Sequence, residues 1–470
     1  MPPITRRNFV GLTASTAALL ARTSLLHGLA ATPRAANLWI TSPTQKFAPV
    51  QAPAWESADS GALRDIRINP GTRFQKVLGF GAAFTDSSCY LFSTMPAGER
   101  TALLEELFGA KGLRFSVGRT CVGASDYSRD VYSFDESAQP DPELKHFSID
   151  HDRAYILPSL RDVAKINPEM YLFSTPWSPP GWMKAGGSML GGSMRKEYMA
   201  AYAQYMVRFL KDYAAEGVKI EAVTVQNEED TDQNGRMPAA LWGQEYEIEF
   251  VKTHLGPAFE QASLQTKIWI LDHNYNLWGR AIDELEDPEM RKYVDGVAWH
   301  GYFGDADAMS RVHKAFPEKH AYWTEGGPDI ASADYATDWS KWSASFTDVL
   351  RNWARCIVGW NYLLDEQGKP NIGPFSCGGL VTIDSKTRKL MRSGQYWAFA
   401  HFSKVIRRDA QVLASEGQVD GVHHVALENP DGSRVLVLTN QGSARKVSFS
   451  VDGGSLTVDL PGDSIATLTW

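Results

Sequence analysis

From about Leu78 to Trp360, short β-rich runs alternate with longer amphipathic stretches, and a chain patterned in this way has few means of burying its apolar residues. Eight runs are rich in branched and aromatic residues: 77–84, 113–119, 170–177, 220–226, 267–273, 296–302, 321–325 and 356–362. Between them apolar residues recur at three and four, most clearly at 196–216, 241–254 and 341–354, which is the period of a helix with one buried face. Parallel strands are joined only through crossovers, so eight strand and helix units predict an α/β fold, a (β/α)8 TIM barrel over residues 73–403.

Beyond residue 404 the period shortens to two. Segments 435–439, 446–451 and 455–460 alternate in the manner of strands, and Asp431-Gly432 and Asp452-Gly453 supply hairpin turns. They predict a small β-sandwich over residues 404–470, and strands at 38–41 and 64–68, within 37–72, are expected to join it, so that the side domain is built from both chain ends. Residues 1–36 stand apart. Arg6 and Arg7 precede an apolar run too short to span a bilayer, the pattern of a twin-arginine export signal, and the expected location is periplasmic or secreted.

The leader carries four arginines and no acid or lysine, so its removal takes the net charge from -8 to -12. An acidic surface offers no footprint for phosphate backbones or anionic lipid, which argues against nucleic acid, and no apolar stretch beyond the leader is long enough for a transmembrane helix, which argues against stable membrane insertion. The four cysteines, Cys89, Cys121, Cys356 and Cys377, show no C-x-x-C spacing; two disulfides and four buried thiols are both open. Fifteen tryptophans call either for an aromatic core or for flat apolar faces turned toward a ligand.

In a barrel of this kind the reactive groups stand at the C-terminal ends of the strands. The fourth run continues Val225-Gln226-Asn227-Glu228, and the seventh reads Tyr322-Trp323-Thr324-Glu325. Strands four and seven face each other across the mouth, so Glu228 and Glu325 can converge on one bond, as the paired carboxylates of glycoside hydrolysis require. Either glutamate alone is more simply a salt-bridged loop residue.

Around these carboxylates lie further motifs: Gly79-Phe80-Gly81-Ala82-Ala83-Phe84-Thr85-Asp86, Ser125-Asp126-Tyr127-Ser128, Ser174-Thr175-Pro176-Trp177-Ser178-Pro179-Pro180-Gly181-Trp182, Gln226-Asn227-Glu228, His300-Gly301-Tyr302, Thr324-Glu325-Gly326-Gly327 and Trp360-Asn361. In this order and spacing the sequence resembles glycoside hydrolase family 30, the family of glucosylceramidases, β-1,6-glucanases and related β-glycosidases. The resemblance implies a retaining double displacement with Glu228 as acid/base and Glu325 as nucleophile, without cofactor or metal, on a β-linked carbohydrate. A glucosylceramidase or β-glucosidase is the leading expectation; an endo-β-1,6-glucanase or a xylan-directed enzyme is the alternative, and a binding protein that lost turnover is the rival from another class.

The remaining residues carry over by position. Asn227 suits a sugar 2-hydroxyl, Asp126 a pair of hydroxyls, and Trp177 and Trp360 the apolar face of a ring. Arg119, expected at the end of strand two, suits a charged Glu325. His300 and Tyr302 are expected to orient Glu325 or to line the pocket, and Trp182, Trp299 and Trp323 to pack in the core or rim. Glu228 has to start protonated, with burial beside Glu325 raising its pKa. Relatives often have Pro where Glu229 stands, and this extra acid either raises the Glu228 pKa or faces solvent. Gly79-Phe80-Gly81 lacks the third glycine of a dinucleotide fingerprint, and the Asp230 to Gly235 segment lacks the terminal glutamate of a calcium loop, so neither ligand is expected.

Overall fold

The eight apolar runs become eight parallel strands closed into a barrel. The computed structural model describes residues 35–57 and 64–470, so the export segment lies outside the described residues but for its last two positions. The strands are β1 (Gly79–Phe84), β2 (Val117–Cys121), β3 (Tyr171–Thr175), β4 (Ala222–Thr224), β5 (Lys267–Asn274), β6 (Val294–His300), β7 (His320–Glu325) and β8 (Ala354–Asp365). Each pairs in parallel with the next, and Cys356 opposite Gly79 joins β8 to β1. Inside the barrel, Val117, Phe173, Ala222, Trp269, Ala298, Tyr322, Cys356 and Val358 form one apolar plug. Trp269 stacks on Tyr322 with centroids 3.8 Å apart, so aromatic rings do what branched aliphatics do in most barrels.

Three boundaries differ from expectation for local reasons. Strand β2 begins at Val117 because Arg114 takes a left-handed φ of 57°, which no strand tolerates, and Arg119 therefore lies within β2 rather than at its end. The helix expected at 241–254 begins at Gln244 and passes through a π-helical turn, Phe250–Leu255, before running on to Gln261. The helix expected at 341–354 is Trp339–Arg351, since Trp353 takes a φ of 78° and β8 starts directly after it.

The side domain is a ten-stranded sheet that draws on both ends of the described chain. Asn37–Ser42 pairs with Ser464–Thr469, and Ile66–Lys76 lies between Gln411–Glu416 and Arg445–Val451. Its core, with Leu38, Ile66, Leu436 and Phe449, is continuous along the sheet. All four cysteines are free thiols.

Candidate active site

At the C-terminal mouth of the barrel, the side chains at or beyond the ends of β2–β8 line a cavity of about 480 Å³. Arg119 organises its floor. Its side chain is fully buried, and its guanidinium donates to Glu325 through Nη1, to Asn227 Oδ1 at 2.8 Å and Asp272 Oδ2 at 2.8 Å through Nη2, and to Thr175 Oγ1 at 3.1 Å through Nε. Every donor direction of the planar fork that has an acceptor here points at a strand end, so one cation sets the relative positions of β3, β4, β5 and β7.

Asp272 is its main counter-charge, and the sequence reading missed it. Burial opposes its ionisation, but Arg119 and the hydrogen bonds from His300 and Thr324 override burial and hold its carboxyl well below the usual range. The rule that picked out Glu228 and Glu325, a polar residue ending an apolar run, would also have found Asp272, since the fifth run ends Leu271-Asp272-His273. Leu271 and Asp272 both have positive φ, which turns the carboxylate inward.

Glu325 ends β7 and is 5% exposed. Its second oxygen accepts the Tyr302 hydroxyl at 3.0 Å. Glu228 lies beyond β4 with a φ of 48°, a left-handed conformation that costs a branchless side chain about 1 kcal/mol or more and aims it back across the mouth. Its Oε1 is 3.1 Å from His300 Nδ1, and Gln233 Nε2 donates to Oε2 at 3.3 Å. His300 Nε2 reaches Asp272 Oδ1 at 3.0 Å and stands 3.9 Å from Glu325.

These contacts correct two expectations. His300 bonds to Glu228 and Asp272 and only approaches Glu325. Burial disfavours its imidazolium, but Glu325, Asp272 and Glu228 outweigh burial and push its pKa up to about 10. Burial would likewise raise the Glu228 carboxyl, but the hydrogen-bonded His300 cation, with His273 and Arg119 nearby, overrides burial and holds it below the ordinary glutamate value. The proton of this pair therefore rests on His300, not on Glu228. Glu229 neither faces solvent nor adjoins the Glu228 carboxylate; it is 1% exposed and pairs with Arg280 Nε at 3.1 Å.

Trp177 and Trp360 stack with centroids 5.0 Å apart and lie over Arg119, whose guanidinium carbon is 4.7 and 5.4 Å from their rings. Asp126 is 4% exposed, and its Oδ1 has no hydrogen-bond partner. Burial and the nearby Glu325 and Glu228 push its carboxyl up, so an unsatisfied, reluctant acid faces the cavity. Trp299 and Trp323 are fully buried and Trp182 nearly so, as packing residues should be. Asp230 is bound to His273 Nε2, and Gln233 of the same loop touches Glu228, so the segment that resembled a calcium loop supplies a wall of the mouth. Glu228, His273 and His300 bring three potential metal-ligand atoms within 4.8 Å of one another, but both ring nitrogens of His300 are taken up by carboxylates. Phe303 and Phe375, also absent from the sequence reading, line the rim and are 67% and 43% exposed.

Residues 77–406 match the Glycosyl hydrolase family 30 TIM-barrel domain, and residues 409–468 the Glycosyl hydrolase family 30 beta sandwich domain. An endo-1,6-beta-D-glucanase of Neurospora crassa is 33% identical over 413 residues, covering 84% of this chain and 85% of its own. The lysosomal acid glucosylceramidase of Mus musculus is 28% identical over 433 residues, covering 86% and 83%. Among solved structures, the endo-beta1,6-glucanase BT3312 superposes with a TM-score of 0.83 at 30% identity, covering 93% of this chain and all of the other.

Proposed function

Because the chain belongs to glycosyl hydrolase family 30 and is a glycoside hydrolase, we propose that it cleaves β-1,6-linked glucan internally and with retention of anomeric configuration. The linkage rests on the β-1,6-glucanase names among its relatives, which carry higher identity than the mouse glucosylceramidase and so put glucan ahead of the glucosylceramide expected from sequence. The observation that supports the chemistry is the placing of Glu228 and Glu325 around a single histidine at one cavity.

Glu325 is the nucleophile. Arg119 and Tyr302 occupy its oxygens from behind and beside, which fixes the carboxylate against rotation and leaves it facing the sugar. Glu228 is the acid/base, acting as one unit with His300. The pair holds one proton; as the glycosidic bond breaks, that proton passes through Glu228 to the leaving oxygen, and the pair then accepts one from the water that opens the glycosyl ester. Asn227, fixed by Arg119, meets the 2-hydroxyl, and Asp126 takes sugar hydroxyls that satisfy its bare oxygen. We further propose export through the twin-arginine leader.

The test is product analysis on β-1,6-glucan, β-1,3-glucan, xylan, glucosylceramide and an aryl β-glucoside, with Glu325→Gln as control. Short β-1,6-oligosaccharides released early, and a loss of at least about 10³-fold in the variant, are expected for a covalent mechanism. Turnover of glucosylceramide alone would overturn the linkage, and a Glu325→Gln enzyme with a tenth of native activity would overturn the nucleophile.

A further inference from the structure

Behind the loop that carries Glu228, three carboxylates surround one guanidinium. Arg280 Nε lies 3.1 Å from Glu229 and 2.7 Å from Glu284, and its Nη2 lies 2.7 Å from Glu247. The three acid side chains are between 0 and 2% exposed and Arg280 is 12% exposed. Among the described residues no second cation comes within salt-bridge distance of any of them. The nearby charges are all spoken for: Asp230 binds His273, Lys196 binds Glu249, and Lys252 binds Asp287. Trp242 Nε1, on the residue whose carbonyl Arg280 holds, is buried and neutral without a hydrogen-bond partner, and the Glu229 carboxylate meets Arg280 as an ion pair without an aligned hydrogen bond.

Three carboxylates and one guanidinium leave two uncompensated charges out of water if all ionise. That cost is of a size that buried groups avoid by keeping a proton. The cluster is also wired to the site. Arg280 Nη1 donates to the Trp242 carbonyl at 3.0 Å, and the Trp242 N–H donates to the Glu229 carbonyl at 2.8 Å. Arg280 thus grips the peptide that follows Glu228 from two sides, through the Glu229 side chain and through Trp242.

We infer that Glu229, Glu247, Glu284 and Arg280 form a buried positioning element for Glu228, which holds its place only while the three carboxylates retain at least one proton. Loss of the last proton sets Glu229 against its two neighbours, and Glu229 can leave only by dragging the strained backbone of Glu228 with it. In agreement, burial and then the neighbouring acids push the Glu284 carboxyl well up, and burial does the same for Glu229 against the pull of Arg280. The inference rests on Glu228 as acid/base.

The sign follows from linkage. Acids bound more tightly to their protons in the folded chain stabilise it at low pH and lose that contribution as pH rises through their folded values. Glu284→Gln, which keeps the shape and carries permanent N–H donors, and Glu229→Gln are compared with the native chain from about pH 5 to about pH 9, by thermal unfolding and by kcat and KM on β-1,6-glucan. The expected result is an active Glu284→Gln enzyme at the acid end, with the alkaline decline of both Tm and kcat moved up by about one pH unit and KM little changed. If Glu284→Gln does not fold, Glu229→Gln carries the same expectation. Native alkaline limbs in both variants, or a shifted Tm with an unshifted kcat, would overturn the inference. A native enzyme without turnover at the acid end would instead overturn the reading of Glu228.

Discussion

Asp272 accepts hydrogen bonds from Arg119, His300 and three threonine hydroxyls, of Thr175, Thr224 and Thr324, at 2.6–3.0 Å. It gives the floor of the site a fixed negative charge from which both Arg119 and His300 take their orientation. Asp272→Asn leaves a buried guanidinium facing an amide and should cost about 3–5 kcal/mol of stability, measured by denaturant unfolding. Because the Asp272 carboxyl lies below its unfolded value, its contribution is complete above about pH 4 and is lost as pH falls further. The variant should therefore lose less stability on acidification than the native chain. His300→Gln bears on catalysis. The native Glu228–His300 pair surrenders its proton near the His300 value of about 10. With imidazole gone, Glu228 alone carries the proton, and burial lifts a carboxyl only part of the way from about 4.3. The alkaline limb of kcat/KM should move below that of the native chain, which the buried carboxylates around Arg280 set before the pair loses its proton; a limb that stays in place would show that His300 does not share the acid/base proton.

Between strands, backbone approach is the limiting quantity. A Cβ on Gly81 would fall 1.7 Å from the Val117 carbonyl oxygen, so β1 and β2 close the barrel only with a bare backbone at that point. Gly81→Ala should fail to accumulate as soluble protein or lose more than about 3 kcal/mol, judged by soluble yield and unfolding midpoint. The Gly79-Phe80-Gly81 motif, unconvincing as a nucleotide signature, has this packing reason instead. Elements with a long period were legible in the chain: all eight strand runs overlap their strands, and Glu325 stands at the end of its own. What escaped is set by individual dihedrals. The left-handed Arg114 delays β2, the left-handed Trp353 cuts a helix short, and paired left-handed residues at Leu271 and Asp272 turn a strand residue into the anchor of the site. Propensity and periodicity do not encode these reversals, which tertiary contacts impose. The Glu228 pKa was misjudged for a related reason, because the neighbour that decides it, His300, lies 72 residues away along the chain.

At the scale of the molecule, the sheet domain and the barrel share one core. Val425, Leu427, Val435, Val437 and Ile465 belong to the same buried cluster as the barrel helices Trp339–Arg351 and Gly394–Ser403. Polar ties follow the same seam: Ser343 to Thr439 at 2.6 Å, Arg351 to Ser415 at 2.8 Å, and His401 to Thr41 and Thr467 at 2.8 and 2.9 Å. Each of the five apolar side chains contributes about 1.5–3 kcal/mol by burial, a sum comparable with the roughly 5–15 kcal/mol by which a domain is stable at all. Removal of residues 409–470 should therefore leave a barrel that aggregates, and the intact chain should melt in a single calorimetric transition. Two resolved transitions would show that the halves fold independently. The pairing of Asn37 with Thr469 also sets a timetable. A ribosome adding about 5–20 residues per second needs tens of seconds to make the stretch that separates them, and through that interval the early strand has only its own hairpin partner, Gln45–Val50, to pair with, and its other edge stays open. Its apolar face, with Leu38 and Ile40, must be kept from other nascent chains until residue 469 emerges, so the demand on chaperones falls at the start of translation while the remedy arrives close to its end.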